Sequence, residues 1–167
     1  MSADTYKLVA TIVEEVLNSH NATVSQKKKI DFISLENAKF LAEKVEAKAK
    51  ELGVNAVVAI ADEGGNLKLC ECMDNSYYAS RDIAINKAYT SVALKMSTET
   101  LAKLAIPGGP LYGIQHTNGG KIVIFGGGDP LEINGKIVGG IGVSGGTAEL
   151  DTALSAYGKK VFEDNFI

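Results

Sequence analysis

The sequence has no tryptophan, three prolines, two cysteines, two histidines and a single arginine, Arg81. The missing arginine forks and a formal charge of −3, from 17 basic and 20 acidic side chains, argue against a nucleic-acid binder. Cys70 and Cys72 sit too close for an easy disulfide and are too few for a metal site; on an extended strand both point to one face, where packing as small apolar residues is the expected use. With only His20 and His116, a multi-histidine zinc enzyme is excluded, and a Ser-His-Asp triad has His116 as its sole candidate base within the main body. No apolar run approaches the roughly 20 residues that span a bilayer, and the N-terminus lacks a cleavable leader pattern, so a soluble, cytoplasmic chain is expected. What is present suffices for one domain: 167 residues, 46% of them hydrophobic.

The chain divides into three parts. In residues 5–17, Leu8, Val9, Ile12, Val13, Val16 and Leu17 recur with the spacing of one apolar stripe on a helix, which Asp4 or Ser2 can cap. The amphipathic segment is assigned to 1–20. Residues 21–33, carrying Lys27-Lys28-Lys29, show no periodicity and read as a linker, leaving 34–167 as the main domain. There Ser34 caps a helix that buries Leu35, Ala38, Leu41, Ala42, Val45, Ala49 and Leu52 and stops at Gly53. The apolar run from Asn55 to Ala61, the turn Asp62 to Asn66 and the alternating Leu67 to Cys72 form a hairpin. Helical periodicity returns over Ser80 to Met96 and, briefly, over Ser97 to Ala105 before Pro107.

Residues 108–146 hold 14 of the 18 glycines. Strand-like runs are Leu111 to His116, Lys121 to Phe125 and Lys136 to Val143, with Asn134-Gly135 the strongest hairpin signal. Thr147 caps a last helix reaching about Phe162. Short links between strands force antiparallel neighbours, so an α+β domain is predicted, with one antiparallel sheet of about five strands flanked by helices.

Glycines this dense imply close backbone approach or positive φ, with a ligand or a second subunit as visitor. The candidate ligand groove is built from Gly126, Gly127, Gly128, Ser144, Gly145, Gly146 and Thr147, where a tight turn feeds a helix N-terminus able to hold an anion. Glu149 and Asp151 suit the helix dipole and can also anchor a ligand. His116 reads as a haem ligand, a base or a half-exposed residue without chemistry. Tyr77, Tyr78, Tyr89 and Tyr112 fit packing better than an aromatic pocket.

In order, the motifs AIADEGGNL, NKAYTSVALKMST, PGGPLYGI, FGGGDPL and VGGIGVSGGTAELD, spread over Ser34 to Phe162, resemble the GlcG/HbpS family, which includes the C-terminal domain of PduO. The resemblance implies a profilin-like domain, a homo-oligomer of four or eight chains, haem or corrinoid-related binding, and a place beside vitamin B12-dependent diol metabolism. It makes His116, in GIQHT, the candidate haem axial ligand, with Tyr112 or Met96 poorer substitutes. The N-terminal stripe is similar to encapsulation peptides of bacterial microcompartments. Residues 5–17 would then meet a shell protein or other cargo, placing the chain in the compartment lumen. Packing of that helix on its own domain stays open.

The leading functional reading is therefore a haem- or corrinoid-binding oligomer with neither nucleic acid nor membrane as partner. An enzyme acting on a small carbonyl or acid metabolite through Glu149, Asp151 or His116 is second, because no nucleophile and base stand at recognisable spacing. A purely structural assembly factor is third.

Overall fold

The computed structural model describes residues 30–167; the amphipathic segment and most of the linker lie outside them. Helix α1 (Leu35–Glu51) starts where Ser34 Oγ accepts the Asn37 amide at 3.1 Å, and it is followed by Gly53 at φ 69°. Its stripe is buried from Ala38 to Ala49, but Leu35 and Leu52 at the two ends are exposed. Ile30 and Ile33, within the span read as linker, belong to the core.

Strands β1 (Val57–Asp62) and β2 (Leu67–Cys72) form the expected hairpin, its turn held by Asp62 Oδ1, which accepts from the Gly64 and Asn66 amides at 2.9 Å each. Helix α2 (Tyr78–Leu94) ends at Lys95 in a left-handed conformation, and α3 (Thr98–Leu104) is capped by Ser97. Strands β3 (Gly128–Ile133) and β4 (Lys136–Ser144) meet at Asn134-Gly135, both at positive φ as the sequence requires. Helix α4 (Ala148–Phe166) runs one turn past Phe162, because the Phe166 ring packs edge-on against Phe40 at 5.8 Å.

The sheet has four strands, not five, in the order β2-β1-β4-β3 with every pair antiparallel. Two strand-like runs are not strands. Leu111 to His116 enters a 3-10 turn (Ile114–His116) after Gly113 at φ 89°, with Tyr112 exposed. Lys121 to Phe125 is a connector whose Ile122 and Val123 are buried, with the Val123 amide bonded to Thr90 Oγ1 at 3.0 Å. The unforeseen strand is β3, disguised by Gly-Asp-Pro. Its Pro130 is tolerated because β3 pairs with β4 alone, leaving an edge that needs no donor.

The two faces of the sheet differ. Helices α1 and α4 cover one face, where Leu41, Val45, Leu154 and Phe162 pack on Ile60, Leu131 and Ile141 of the strands. Helix α2 covers the other, and the register aligns Val57, Ala59 and Ala61 of β1 with Ser144, Gly142 and Gly140 of β4. A Cβ at Gly140 would come within 2.7 Å of the Ala88 carbonyl oxygen, and one at Gly142 would overlap that of Ala84. These glycines bring the α2 backbone directly onto the strands.

Candidate functional site

The glycine-rich residues do not converge on a single groove. Asp151 is 3% exposed and held between two partners. Its Oδ2 accepts from Lys87 Nζ at 2.8 Å, and its Oδ1 accepts from the Gly146 amide at 2.9 Å. Lys87 Nζ also donates to the Val143 carbonyl at 2.8 Å and stands 4.8 Å from the Phe125 ring centre. Burial pushes the Lys87 ammonium below the ordinary lysine pKa, while Asp151 pulls it back up. Gly127, at φ 114°, has no room for a side chain, since a Cβ would lie 2.7 Å from Lys87 Nζ. Asp151 and Gly127 thus serve an interior ion pair and not a ligand. Lys87 escaped the sequence reading, although it follows Ala84 by three residues within the buried stripe of α2.

Gly128 and Ser144 are interior too: the Gly128 amide bonds Thr98 Oγ1 at 2.9 Å, and Ser144 Oγ bonds Ser80 Oγ at 3.2 Å. Thr147 caps α4 through the Leu150 amide at 3.3 Å. Gly145, Gly146 and Thr147 line a separate cleft with Asn55 and Tyr77. Only Gly126 and Glu149 of the predicted set border the cleft of about 510 Å³ between α3 and the start of α4. Its apolar wall is Ala102, Ile106 and Phe125; its charged rim is Lys103, bonded to Glu99 at 3.1 Å, together with Glu99 and Glu149. Glu149 is fully exposed, its carboxyl held below the usual value by its own backbone amide and the Thr147 hydroxyl.

His116 lies outside that lining. It ends the 3-10 turn Ile114–His116 as an exposed imidazole, its Nε2 3.4 Å from Gln115 Nε2. Gln115 Oε1 is the one buried side-chain polar atom without a hydrogen-bond partner among the described residues. Ile106 and Tyr112, 55% and 65% exposed, precede the turn in sequence, and Ile106 also belongs to the cleft. Among the described residues His116 is the one imidazole, and its exposure, in a segment that also carries the exposed Ile106 and Tyr112, fits the single protein ligand and apolar side chains that a haem needs. It does not fit a bare metal ion: among the described residues no three His, Cys, Asp or Glu side chains form a metal-binding group. No described helix is long and apolar enough to cross a membrane.

Comparisons with known proteins agree with this architecture. The family model described as "Haem degrading protein HbpS-like" matches residues 33–159. An uncharacterized 15.0 kDa protein of Citrobacter freundii, from the dhaT-dhaS intergenic region, is 46% identical over 132 residues, covering 79% of this chain and 93% of that protein. The corrinoid adenosyltransferase PduO of the same organism is 38% identical over 108 residues, covering 65% of this chain; the match spans 32% of the transferase's length. The solved structure of a PduOC:heme complex superposes with a TM-score of 0.74 at 33% identity, covering 77% of this chain and 94% of that one. The α+β fold, the ordered glycine motifs and these matches together establish that the chain belongs to the HbpS-like family.

Proposed function

We propose that the protein is a haem-binding, self-associating member of its family that accompanies corrinoid-dependent metabolism. The observation that carries this reading is the accessible imidazole of His116 in a segment whose Ile106 is shared with a cleft of apolar wall, where Lys103 is the cation among the lining residues. The porphyrin's apolar surface is assigned to Ile106, Tyr112 and Phe125, its carboxylates to Lys103 and its iron to His116. The bound group would supply a coordinating iron; the chain's residues bind and orient it. The likeness to the PduOC:heme complex supports haem over a bare tetrapyrrole, and the PduO relative supports the corrinoid setting.

The reading stops at binding. Asp151, one of the two acids considered for proton transfer, is committed to Lys87, and the side-chain contact of His116 is with the Gln115 amide. Association as four or eight chains, and targeting of a microcompartment lumen by residues 5–17 through a shell protein or other cargo, are parts of the same proposal. Their tests are solution mass and compartment entry after removal of residues 1–30.

Haemin titration with absorbance in the Soret region tests the reading directly. Wild type is expected to give a saturable spectral shift, His116→Ala to lose the signature of imidazole ligation, and Lys103→Glu to weaken binding while keeping that signature. An unchanged His116→Ala spectrum removes His116 as the ligand. Cobalamin in a parallel titration tests a corrinoid as the guest instead.

A further inference from the structure

Cys70 and Cys72 lie on β2, which has a strand neighbour on one side only. Residues two apart on a strand share a face. Here it is the face that α2 covers, since Cys70 packs against the cluster containing Val57, Ala59 and Ala84. Cys70 is half-buried, whereas Cys72 is exposed. Both thiols therefore lie on one side of β2, the inner one against the helix and the outer one open to solvent. Arg81, the chain's sole arginine, lines a surface cleft with Cys72 and has Asp82 beside it as the opposing charge. Its Nη1 is 3.3 Å from Asp82 Oδ1, and both side chains are exposed. Cys72 also opens onto a surface cleft of about 390 Å³ shared with Tyr77, Tyr78 and Arg81, so a small solute reaches it freely.

Core packing accounts for Cys70 but not for the exposed Cys72. A disulfide accounts for neither. Two positions along an extended strand are separated by about 6.6 Å, while a disulfide needs Cβ atoms about 3.5–4.5 Å apart. Two thiols on one strand face at this spacing suit a bridging ion better than a direct sulfur–sulfur bond.

We propose that Cys70 and Cys72 form a bidentate thiolate site for a soft, thiophilic monovalent metal ion of the copper(I) class, with Arg81 balancing its charge. Thiolates select soft ions, and two of them satisfy a two-coordinate ion while leaving a four-coordinate one such as zinc incomplete. The step is a ligand exchange without electron transfer. One M⁺ replaces the two thiol protons, two M–S bonds form, both protons go to water, and the complex carries a charge of −1 that the Arg81 guanidinium offsets.

The test uses the full-length reduced protein without oxygen, with copper(I) supplied against the chromogenic chelator bathocuproine disulfonate. About one copper per chain is expected. Cys70→Ser and Cys72→Ser should each abolish uptake, and Arg81→Gln should weaken it by about tenfold. The haemin titration of Cys72→Ser should match wild type, separating this site from the one at His116. Because Cys72 is exposed, its serine variant leaves the core intact, which circular dichroism checks. Phenylarsine oxide gives a second readout: two As–S bonds form as its oxygen leaves in water with the two thiol protons, adding one phenylarsenic group per chain. Copper retained by Cys72→Ser, half a copper per chain, no copper held against the chelator, or no arsenical adduct would each overturn the proposal.

Discussion

The two faces of the sheet achieve burial by opposite means. Beneath α1 and α4 the core is branched and aromatic: Leu41, Ile60, Ile141 and Phe162 fill space between elements held apart by their side chains. Beneath α2 the residues are Ala59, Ala61, Gly140 and Gly142, and the helix backbone itself fills the space. That second face contains little apolar volume. Its fixed point is the ion pair of Lys87 and Asp151, which ties α2 to the start of α4 and, through Val143, to the end of β4. A glycine-rich stretch that reads as a berth for a guest is thus mostly a berth for the protein's own helix.

Substitutions that treat the faces unequally sharpen this contrast. The largest effect is expected from Lys87→Met, which strands a buried carboxylate and costs about 3–5 kcal/mol; the Lys87→Met/Asp151→Leu double variant should cost less than the sum of its singles, as chemical denaturation of the full cycle would show. On the branched face, Leu41→Ala leaves a cavity and costs about 2–5 kcal/mol. On the glycine face the sign of the volume change reverses: Gly142→Ala adds one methyl against the Ala84 carbonyl and costs about 1–3 kcal/mol. If Gly142→Ala melts like wild type, the close approach of α2 is wrong.

The smallest effect concerns Asp129, whose carboxyl burial pushes above the usual value while Ser155 Oγ donates to it at 2.6 Å. The folded state therefore holds that proton more tightly than the unfolded chain. Its contribution to stability is present below the ordinary carboxylate pKa and is lost as pH rises through the raised one. Melting temperatures of Asp129→Asn between about pH 4 and pH 7 should lose this part of the slope; a slope identical to wild type would exclude the effect.

Much of the scaffold was legible in the sequence because local chemistry settles it. Ser34 and Thr147 cap the helices expected of them, the short helix read from Ser97 is present, and Asn134-Gly135 makes its turn. The strands around β3 were misjudged because their signals are tertiary. Ile122 and Val123 are apolar for the sake of burial and not pairing, and Pro130 is admissible only on an edge. The candidate site was read less well for a related reason. Glycine density reports close approach without naming the visitor, and the partner of Asp151 is a lysine 64 residues away in sequence. Cys72 was expected to pack, yet an edge strand leaves it in the open.

Hydrogen exchange of the haemin-loaded against the free protein tests the central claim most directly, because it separates the stretch that would hold a ligand from the stretch that holds a helix. Slower exchange is predicted across residues 99–121, which contain Lys103, Ile106, Tyr112 and His116, with residues 139–147 unchanged. Protection gathered in 144–147 while 106–121 exchanges as before would contradict it.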